Sequence, residues 1–434
     1  MIFKNTLQFN RHMVKLQGMK KLIQRLQMQR LEQCLKRFPI VAVLGARQTG
    51  KTTLVRDLLN KKRAYYSFDD QANILIAEQD PVSFLTQSKY MTIDEVQKVP
   101  SILPAMKKIV DEKRLSGQFL ITGSANITML PNISETLAGR IVFIDLPPLT
   151  MLEVSPGISS EIRLKEILRA RSAKKCWEVL GSITPVKLPI EMYVLRGGLP
   201  PAFLNANHEM RNEWFIGYVR TYLERDVRDL SRIQRLHEYQ KYLSLLSLRT
   251  AQIFNKSEVA RDCGVPYTTS GHFLDLLITT FQVFLLQPFF SNVGKRHIKS
   301  PKLMWNDTGL SMNLQGLRTW KDAIRLCRDG ALVENKVAIE LKTYLRENNS
   351  AAKLFYWRTS GGAEIDFVIE SNHRLIPVEV KWSSVVRPKS LTAMQMFLND
   401  YKERCSWGIV LYKGQQLIKM KKNVFLVPFD VFFQ

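Results

Sequence analysis

A short run of residues near the amino terminus has the types and spacing of a loop that binds phosphate groups. It extends from Gly45 to Thr52 and matches the pattern G-x-x-x-x-G-K-[S/T]. The glycines let backbone N–H groups face phosphate oxygens, the lysine places a charge on the β- and γ-phosphates, and the final hydroxyl binds Mg²⁺. The residues predicted to bind nucleotide are Gly45, Ala46, Arg47, Gln48, Thr49, Gly50, Lys51, Thr52 and Thr53.

A second acidic signal follows another apolar run. Tyr90 to Ile93 is followed directly by Asp94 and Glu95. Asp94 is expected to hold Mg²⁺ through the hydration shell of the ion, together with the Thr52 hydroxyl. Glu95 is expected to polarise the attacking water, because that task needs a carboxylate within hydrogen-bonding distance.

Two further residues complete the predicted catalytic set with Lys51 and Glu95. Ser124 follows the run from Phe119 to Thr122 and is expected to sense the γ-phosphate. Arg140 follows Leu-Ala-Gly and fits two roles equally well. It can stabilise the transferred phosphoryl group across a subunit boundary, or it can form a structural ion pair.

These residues need a parallel sheet to bring them together. Short apolar runs alternate with helical stretches, which predicts an α/β domain of the P-loop NTPase class. Because the carboxyl ends of parallel strands meet at one edge, the candidate residues are expected to be neighbours. The predicted strands are 40–44, 64–68, 90–93, 119–122 and 141–146.

Acidic residues and a lysine form a second constellation near the carboxyl terminus. Glu334 lies on a predicted helix, Asp366 in a predicted strand, and Glu379 and Lys381 on one face of the next strand. Asp366 and Glu379 are the expected ligands of one Mg²⁺, and Lys381 is expected to position water for phosphodiester cleavage. An active nuclease and a scaffold or nucleic-acid-binding relic both remain open.

The segment 256–277 predicts a helix-turn-helix, because Gly264 ends one helix and another begins near Tyr267. Polar residues of the second helix are placed to contact DNA bases, and the basic run after it, including Lys302, suits phosphate contact. A packing role is the alternative. The candidate DNA-binding residues are Thr268, Thr269, Ser270, His272, Lys295, Arg296 and Lys299.

The net charge and the apolar stretches of the chain limit the classes of partner that it is expected to bind. The chain has 434 residues and a formal net charge of +24, which favours nucleic acid ahead of acidic membranes. The most apolar stretch, 273–290, is interrupted by polar residues and predicts a buried helix followed by a strand, so no membrane partner is expected. Scattered cysteines indicate a reduced cytoplasmic protein without a structural metal cluster.

The motifs together resemble a widespread prokaryotic family of AAA-type ATPases. The resemblance rests on Gly-Ala-Arg-Gln-Thr-Gly-Lys-Thr-Thr-Leu, Ile-Asp-Glu-Val-Gln, Thr-Gly-Ser-Ala-Asn and Leu-Ala-Gly-Arg, and it extends from about Lys21 onward. It implies ATP as the ligand, homo-oligomers, and a carboxyl-terminal domain of unknown function with a winged-helix region. The arrangement D-x(12)-E-x-K with an upstream acid is similar to the restriction-endonuclease-like superfamily.

The sequence therefore predicts an ATP-hydrolysing protein that acts on or with DNA. One alternative is a nucleotide-dependent signalling or scaffold switch that binds a protein partner, and another is an ATP-gated, Mg²⁺-dependent nuclease. The predicted order is a basic extension (1–20), an AAA-type ATPase domain (21–154), a basic connector or lid (155–211), a helical and winged-helix segment (212–310) and an α/β endonuclease-like domain (311–434).

Overall fold

The computed structural model divides the chain into two compact units, a first unit that ends at Leu146 and a second unit that begins at Pro147. The predicted extension 1–20 lies outside the described residues. Among the residues described, no helix has the length and apolarity needed to cross a bilayer. The structure describes residues 22–59, 62–125, 137–155, 163–183, 189–223, 236–292, 294, 296, 299–348 and 351–433.

The first unit is a parallel sheet with helices packed on it, and all five predicted strands are present. The strand order is β2-β3-β4-β1-β5, and every pairing is parallel. Its elements are α1 (Met28–Leu35), β1 (Ile40–Leu44), α2 (Lys51–Thr53), which continues as a π-helix (Leu54–Leu58), β2 (Ala64–Ser67), α3 (Gln71–Gln79), α4 (Pro81–Thr86), β3 (Met91–Asp94), a 3₁₀ turn (Val96–Lys98), α5 (Ile102–Lys113), β4 (Phe119–Gly123) and β5 (Ile141–Asp145).

Strand β1 lies inside this sheet, between β4 and β5, and is buried along its whole length. A strand covered on both faces needs a continuous apolar run, which Ile40–Leu44 supplies. Val41 and Val43 pack against Leu31 of α1 and Leu54 of the π-helix. This packing holds the loop after β1 at the carboxyl edge of the sheet.

The second unit begins with helices, continues into a hairpin and ends in a mixed sheet. Its first elements are α6 (Met151–Val154), α7 (Arg163–Arg169), α8 (Ala173–Gly181), α9 (Ile190–Arg196), α10 (Pro200–Leu204), α11 (His208–Tyr218), a π-helix (Val219–Leu223), α12 (Leu236–Ser247), α13 (Lys256–Cys263), α14 (Tyr267–Thr279), β6 (Val283–Leu286), β7 (Lys302–Trp305), α15 (Thr308–Leu314) and α16 (Trp320–Arg325).

The stretch 155–211, predicted as a basic connector or lid, carries helices α7 to α10 and the start of α11 among its described residues. Leu164, Ile167, Cys176 and Leu180 are buried, whereas the lysines between them are exposed. The basic character of the sequence therefore reflects the outer faces of packed helices. The short helix α6 lies in the second unit.

Helices α12 to α14 and the antiparallel hairpin β6–β7 follow the predicted helix-turn-helix order. The Asn255 side chain accepts the N–H group of Ser257 at 3.0 Å and starts α13. Gly264, with φ of 76°, ends it. Buried Tyr242, Phe273 and Trp305 share one core in this region. The winged-helix assignment itself stays a prediction.

A mixed sheet with strand order β12-β13-β11-β10-β9-β8 forms the carboxyl-terminal part of the second unit. The strand predicted to carry Asp366 and the next strand, predicted to carry Glu379 and Lys381, are both present in it. The elements are α17 (Asp329–Asn348), β8 (Lys353–Arg358), β9 (Glu364–Ser371), β10 (Arg374–Lys381), a 3₁₀ turn (Pro388–Leu391), α18 (Thr392–Asp400), β11 (Gly408–Tyr412), β12 (Ile418–Lys419), a 3₁₀ turn (Lys421–Asn423), β13 (Val424–Pro428) and α19 (Phe429–Phe432).

Candidate functional site

The loop between β1 and α2 has the backbone that phosphate binding requires. Gly50 has φ of 94°, a conformation that glycine adopts without strain. A side chain at Gly45 would collide with the carbonyl oxygen of Leu146. The Thr49 hydroxyl donates to the carbonyl oxygen of Ala46 at 2.9 Å, which closes the loop on itself. The local structure of this loop is therefore that of the predicted phosphate cradle.

Lys51 lies folded over this loop and is buried. Its ammonium group donates to the carbonyl oxygens of Gly45 at 3.0 Å and Ala46 at 2.9 Å. Arg25, which the sequence did not single out, donates to the carbonyl oxygen of Thr49 at 2.7 Å. Both cations therefore lie at the loop, where phosphate oxygens would attract them.

Asp94 lies at the carboxyl end of β3 and gathers hydroxyl groups from three other segments. Thr52 donates to its Oδ2 at 2.6 Å, Tyr65 donates to the same oxygen at 2.8 Å, and Thr122 donates to its Oδ1. The Thr52 hydroxyl and the Asp94 carboxylate are oxygen donors of the kind that Mg²⁺ takes beside substrate phosphates. These two residues fit the predicted metal position.

Tyr65 belongs to β2, next to β3 in the sheet, and no sequence motif marks it. Burial, followed by the neighbouring Asp94 carboxylate, raises the pKa of the Tyr65 phenol. The phenol therefore remains a hydrogen-bond donor to Asp94 at neutral pH. Parallel pairing of β2 with β3 is the only signal that brings this residue to the site.

Glu95 and Ser124 are joined by a residue that the sequence did not assign. The Gln97 amide nitrogen donates to the Glu95 carboxylate and also to the Ser124 hydroxyl, the latter at 2.9 Å. Glu95 itself has φ of 59°, and its N–H group donates to Thr122 at 3.1 Å. The candidate base, the candidate sensor and Asp94 thus share one edge of the sheet.

Arg140 lies just before β5, at the amino edge of the sheet and thus opposite the phosphate-binding loop. Its guanidinium pairs with Asp111 at 2.5 and 2.9 Å. Of the two roles predicted for it, the ion pair is present within the chain. A role at the site of a second subunit stays a prediction.

The second predicted constellation, which consists of Glu334, Asp366, Glu379 and Lys381, is also brought together by the structure. It lies in the second unit. The N–H group of Val380 donates to Asp366 Oδ2 at 2.8 Å, and the N–H group of Asp366 donates to Glu379 Oε2 at 3.3 Å. Lys381 pairs with Glu379 Oε1 at 2.5 Å. Glu334 of α17 joins through a residue that the sequence assigned elsewhere, Lys302 of β7, at 2.8 Å.

Burial strongly raises the pKa of two acids of this constellation, Glu334 and Glu379. Burial and then the Asp366 charge raise the pKa of Glu334 to about 8, against the opposing effect of Lys302. The same two causes raise the pKa of Glu379 to about 8, against the opposing effect of Lys381. Both carboxyls therefore titrate near neutral pH.

The structure corrects the predicted DNA-contacting set in part. Thr268 and His272 are exposed on α14 and Thr269 is half-buried, but Ser270 is buried. Ser270 lies one helical turn from Leu274, so it faces the core rather than the solvent. The polar residue type at position 270 therefore gave a wrong prediction of exposure, because the side chain faces inward.

The predicted basic run after β6 is also corrected. Arg296 is buried, pairs with Glu370 at 2.7 Å and lies 4.6 Å from the ring centroids of Phe289 and Phe355, so its charge is already neutralised. Lys302 is buried among acids rather than exposed for phosphate contact. Lys299 is exposed, and Lys295 lies outside the described residues.

Family models match three stretches of the chain. An AAA domain matches residues 37–155, which contain the site around Lys51 and Asp94. A domain of unknown function (DUF8612) matches residues 188–321, and another (DUF4143) matches residues 329–432. The first unit is therefore a P-loop nucleotide-binding domain of the AAA class.

Two mycobacterial proteins resemble nearly the whole chain. They are the uncharacterized protein Mb2031c of Mycobacterium bovis and the uncharacterized protein Rv2008c of Mycobacterium tuberculosis. Each is 32% identical over 406 residues, which cover 92% of this chain and 82% of the relative. Among solved structures, the Walker-type ATPase PABY2304 of Pyrococcus abyssi aligns with a TM-score of 0.39 and 13% identity over 70% of this chain and 98% of that chain. The chain belongs to the family of these two mycobacterial proteins, and in this member an AAA domain precedes two domains of unknown function.

Proposed function

We propose that the protein hydrolyses ATP and that hydrolysis is coupled to DNA binding. The observation that carries the first part is the convergence of Thr52, Asp94, Glu95 and Ser124 at one edge of the first unit's sheet. A nucleotide whose β- and γ-phosphates lie in the loop at Lys51 would meet all four side chains.

Each side chain has a distinct task in this proposal. Lys51 leaves the loop carbonyls for the phosphates, because charge-assisted contacts to phosphate are stronger than those to neutral carbonyls. Thr52 and Asp94 would hold Mg²⁺, which supplies positive charge against the phosphate oxygens. Glu95 accepts the proton of the attacking water, and Gln97 orients the Glu95 carboxylate.

The DNA part rests on charge and exposure. The formal net charge of +24 favours a polyanionic partner. Thr268 and His272 are exposed near the start of α14, the part of a second helix that meets base edges in helix-turn-helix proteins.

A second copy of this chain is the partner through which Arg140 would act on the transferred phosphoryl group.

The proposal is tested by measuring ATP turnover and DNA binding together. Fluorescence anisotropy with single-stranded, duplex and branched DNA at two salt concentrations gives affinity and its salt dependence. We expect binding that weakens with salt, because released counterions drive it. We also expect turnover to rise with DNA occupancy, and His272→Glu to lower DNA affinity several-fold.

Asn399→Glu is the matched control, since it adds the same charge at an exposed position of α18. It should leave DNA affinity close to that of the unaltered chain. DNA that neither binds nor changes turnover at low salt would refute the coupling and favour a protein partner, whereas absent ATP turnover in every condition would refute the hydrolysis itself.

A further inference from the structure

The similarity to restriction endonucleases implies Mg²⁺ held by Asp366 and Glu379, but in this structure donors of the protein already occupy the positions around these carboxyl groups. Asp366 Oδ2 accepts a backbone N–H group from β10, and Glu379 Oε2 accepts one from β9. Glu379 Oε1 pairs with Lys381. Within the ranges that the structure describes, no three acidic, histidine or cysteine side chains are grouped to hold a metal.

Lys302 supplies a positive charge to the acidic cluster, which we define as Glu334, Glu364 and Asp366. The Nζ atom of Lys302 lies 2.8 Å from Glu334 Oε1, 2.5 Å from Glu364 Oε1 and 3.6 Å from Asp366 Oδ1. The side chain of Lys302 is only 2% exposed. Glu334 and Glu364 lie within hydrogen-bonding distance of the ammonium group, and Asp366 adds a longer ion-pair contact. Oxygen atoms therefore surround the ammonium group as they would surround a metal ion.

The backbone keeps Lys302 in this position. It is the first residue of β7, where it pairs with Leu286 of β6 and forms a bridge with Ile253. At the other end of β7, Trp305 exchanges two hydrogen bonds with the Asn335 side chain of α17, at 2.8 and 2.9 Å. The strand is thus tied at both ends, which fixes the position from which the Lys302 side chain reaches the acids.

The charge balance favours retention of the ammonium form. Three acidic side chains, those of Glu334, Glu364 and Asp366, lie against the single ammonium group of Lys302. Removal of the cation would leave these acidic groups without the partner that they share, which is unfavourable. A divalent ion would have to displace Lys302 from the same carboxylates.

We propose that Lys302 is the resident cation of this acidic cluster, so that the endonuclease-like module uses the cluster to lock β7 onto α17 and β9 rather than to hold a catalytic metal. The module is then a non-cleaving joint that fastens the predicted winged-helix segment to the carboxyl-terminal sheet. This inference does not depend on the ATPase proposal, because all of its residues lie in the second unit.

The test measures Mn²⁺ binding to the full chain, freed of nucleotide and metal, by electron paramagnetic resonance. The unaltered chain and Asp366→Asn should bind the same number of Mn²⁺ ions. Lys302→Met has similar length without charge, and it should bind one more ion, which the double variant with Asp366→Asn loses. We also expect Lys302→Met to melt roughly 5 to 10 °C lower, with Mn²⁺ restoring part of that shift.

Greater Mn²⁺ binding by the unaltered chain than by Asp366→Asn would overturn the proposal, and this comparison needs no Lys302 variant. Equal binding by folded Lys302→Met and the unaltered chain would overturn it as well. A third arm incubates DNA with Mg²⁺ and the unaltered chain. Cutting that disappears in Lys381→Ala would show a working metal site, whereas intact DNA supports the resident cation.

Discussion

Asp94 is the residue at which the groups of the nucleotide site converge. It is 2% exposed and accepts hydrogen bonds from Thr52, Tyr65 and Thr122. A buried carboxylate with several donors is held in one position, because any rotation would leave a buried charge unpaired. Among the described residues, the carboxylate of Glu95, one residue later, accepts a hydrogen bond from the Gln97 amide, which leaves lone pairs for a water proton.

This difference predicts a specific defect for Glu95→Gln. The amide retains size and hydrogen bonding but cannot accept a proton, so ATP turnover should fall by about 10²- to 10⁴-fold. The dissociation constant for ATP should change little, because the phosphates contact the loop and Lys51. Steady-state turnover and equilibrium nucleotide binding measure the two quantities separately.

Glu112→Gln is the control, an exposed position on α5 in the same unit. Turnover by Glu112→Gln should match that of the unaltered chain. If Glu95→Gln hydrolyses ATP at a similar rate, another group accepts the proton and the assignment of Glu95 fails.

At the scale of elements, the acidic cluster joins a hairpin, a helix and a strand. Lys302 belongs to β7, Glu334 to α17, and Asp366 to β9. Burial and then the Asp366 charge raise the pKa of Glu334 and Glu379 to about 8. These carboxyls hold their protons in the native state at a pH where the unfolded chain has released them.

The stability of the second unit should therefore decrease as pH rises from about 5 to about 8. Unfolding releases protons in this window, so each carboxyl contributes a slope of up to about 1.4 kcal/mol per pH unit. Glu334→Gln removes one of the two contributions and should about halve the slope. Urea unfolding followed by tryptophan fluorescence measures it, since all 7 tryptophans lie after Leu146.

Glu403→Gln, at an exposed position after α18, should leave the slope unchanged. A stability that rises over the same window, or a Glu334→Gln variant with the full slope, would contradict the raised pKa of Glu334.

At the scale of the whole molecule, the described part of the chain consists of two units, each with its own core, and the predicted nucleotide site lies in the first. A ligand that binds only the native state stabilises it in proportion to its saturation. The predicted nucleotide contacts all lie between β1 and the segment after β4. ATP should thus protect the first unit directly.

Hydrogen exchange can detect this effect in each unit separately. At about 100 times the dissociation constant, Mg²⁺ and ATP should raise the free energy of opening in β1 and β3 by about 2.7 kcal/mol. Lys51→Ala should lose most of the increase, because it removes the charge that contacts the phosphates. Lys108→Ala, an exposed lysine of α5, serves as the control and should retain the full protection. Full protection in Lys51→Ala would contradict the assignment of the loop.

The sequence pattern was sufficient to predict those features whose structure depends on residues close together along the chain. The loop from Gly45 to Thr52 and the acidic end of β3 were predicted because spacing sets the loop geometry, and parallel strands bring their carboxyl ends to one edge. Glu379 and Lys381 share a face for an equally local reason, the alternation of side chains along a strand. The AAA domain at residues 37–155 was predicted from the same motifs.

The tertiary structure alone decided which charged and polar residues are buried. Lys302 meets Glu334 across 32 positions, Tyr65 meets Asp94 across 29, and Arg296 meets Glu370 across 74. A buried charge is stable only beside partners from other elements, and the sequence does not specify which elements pack together. For that reason a lysine predicted to contact phosphate is instead the buried cation of an acidic cluster.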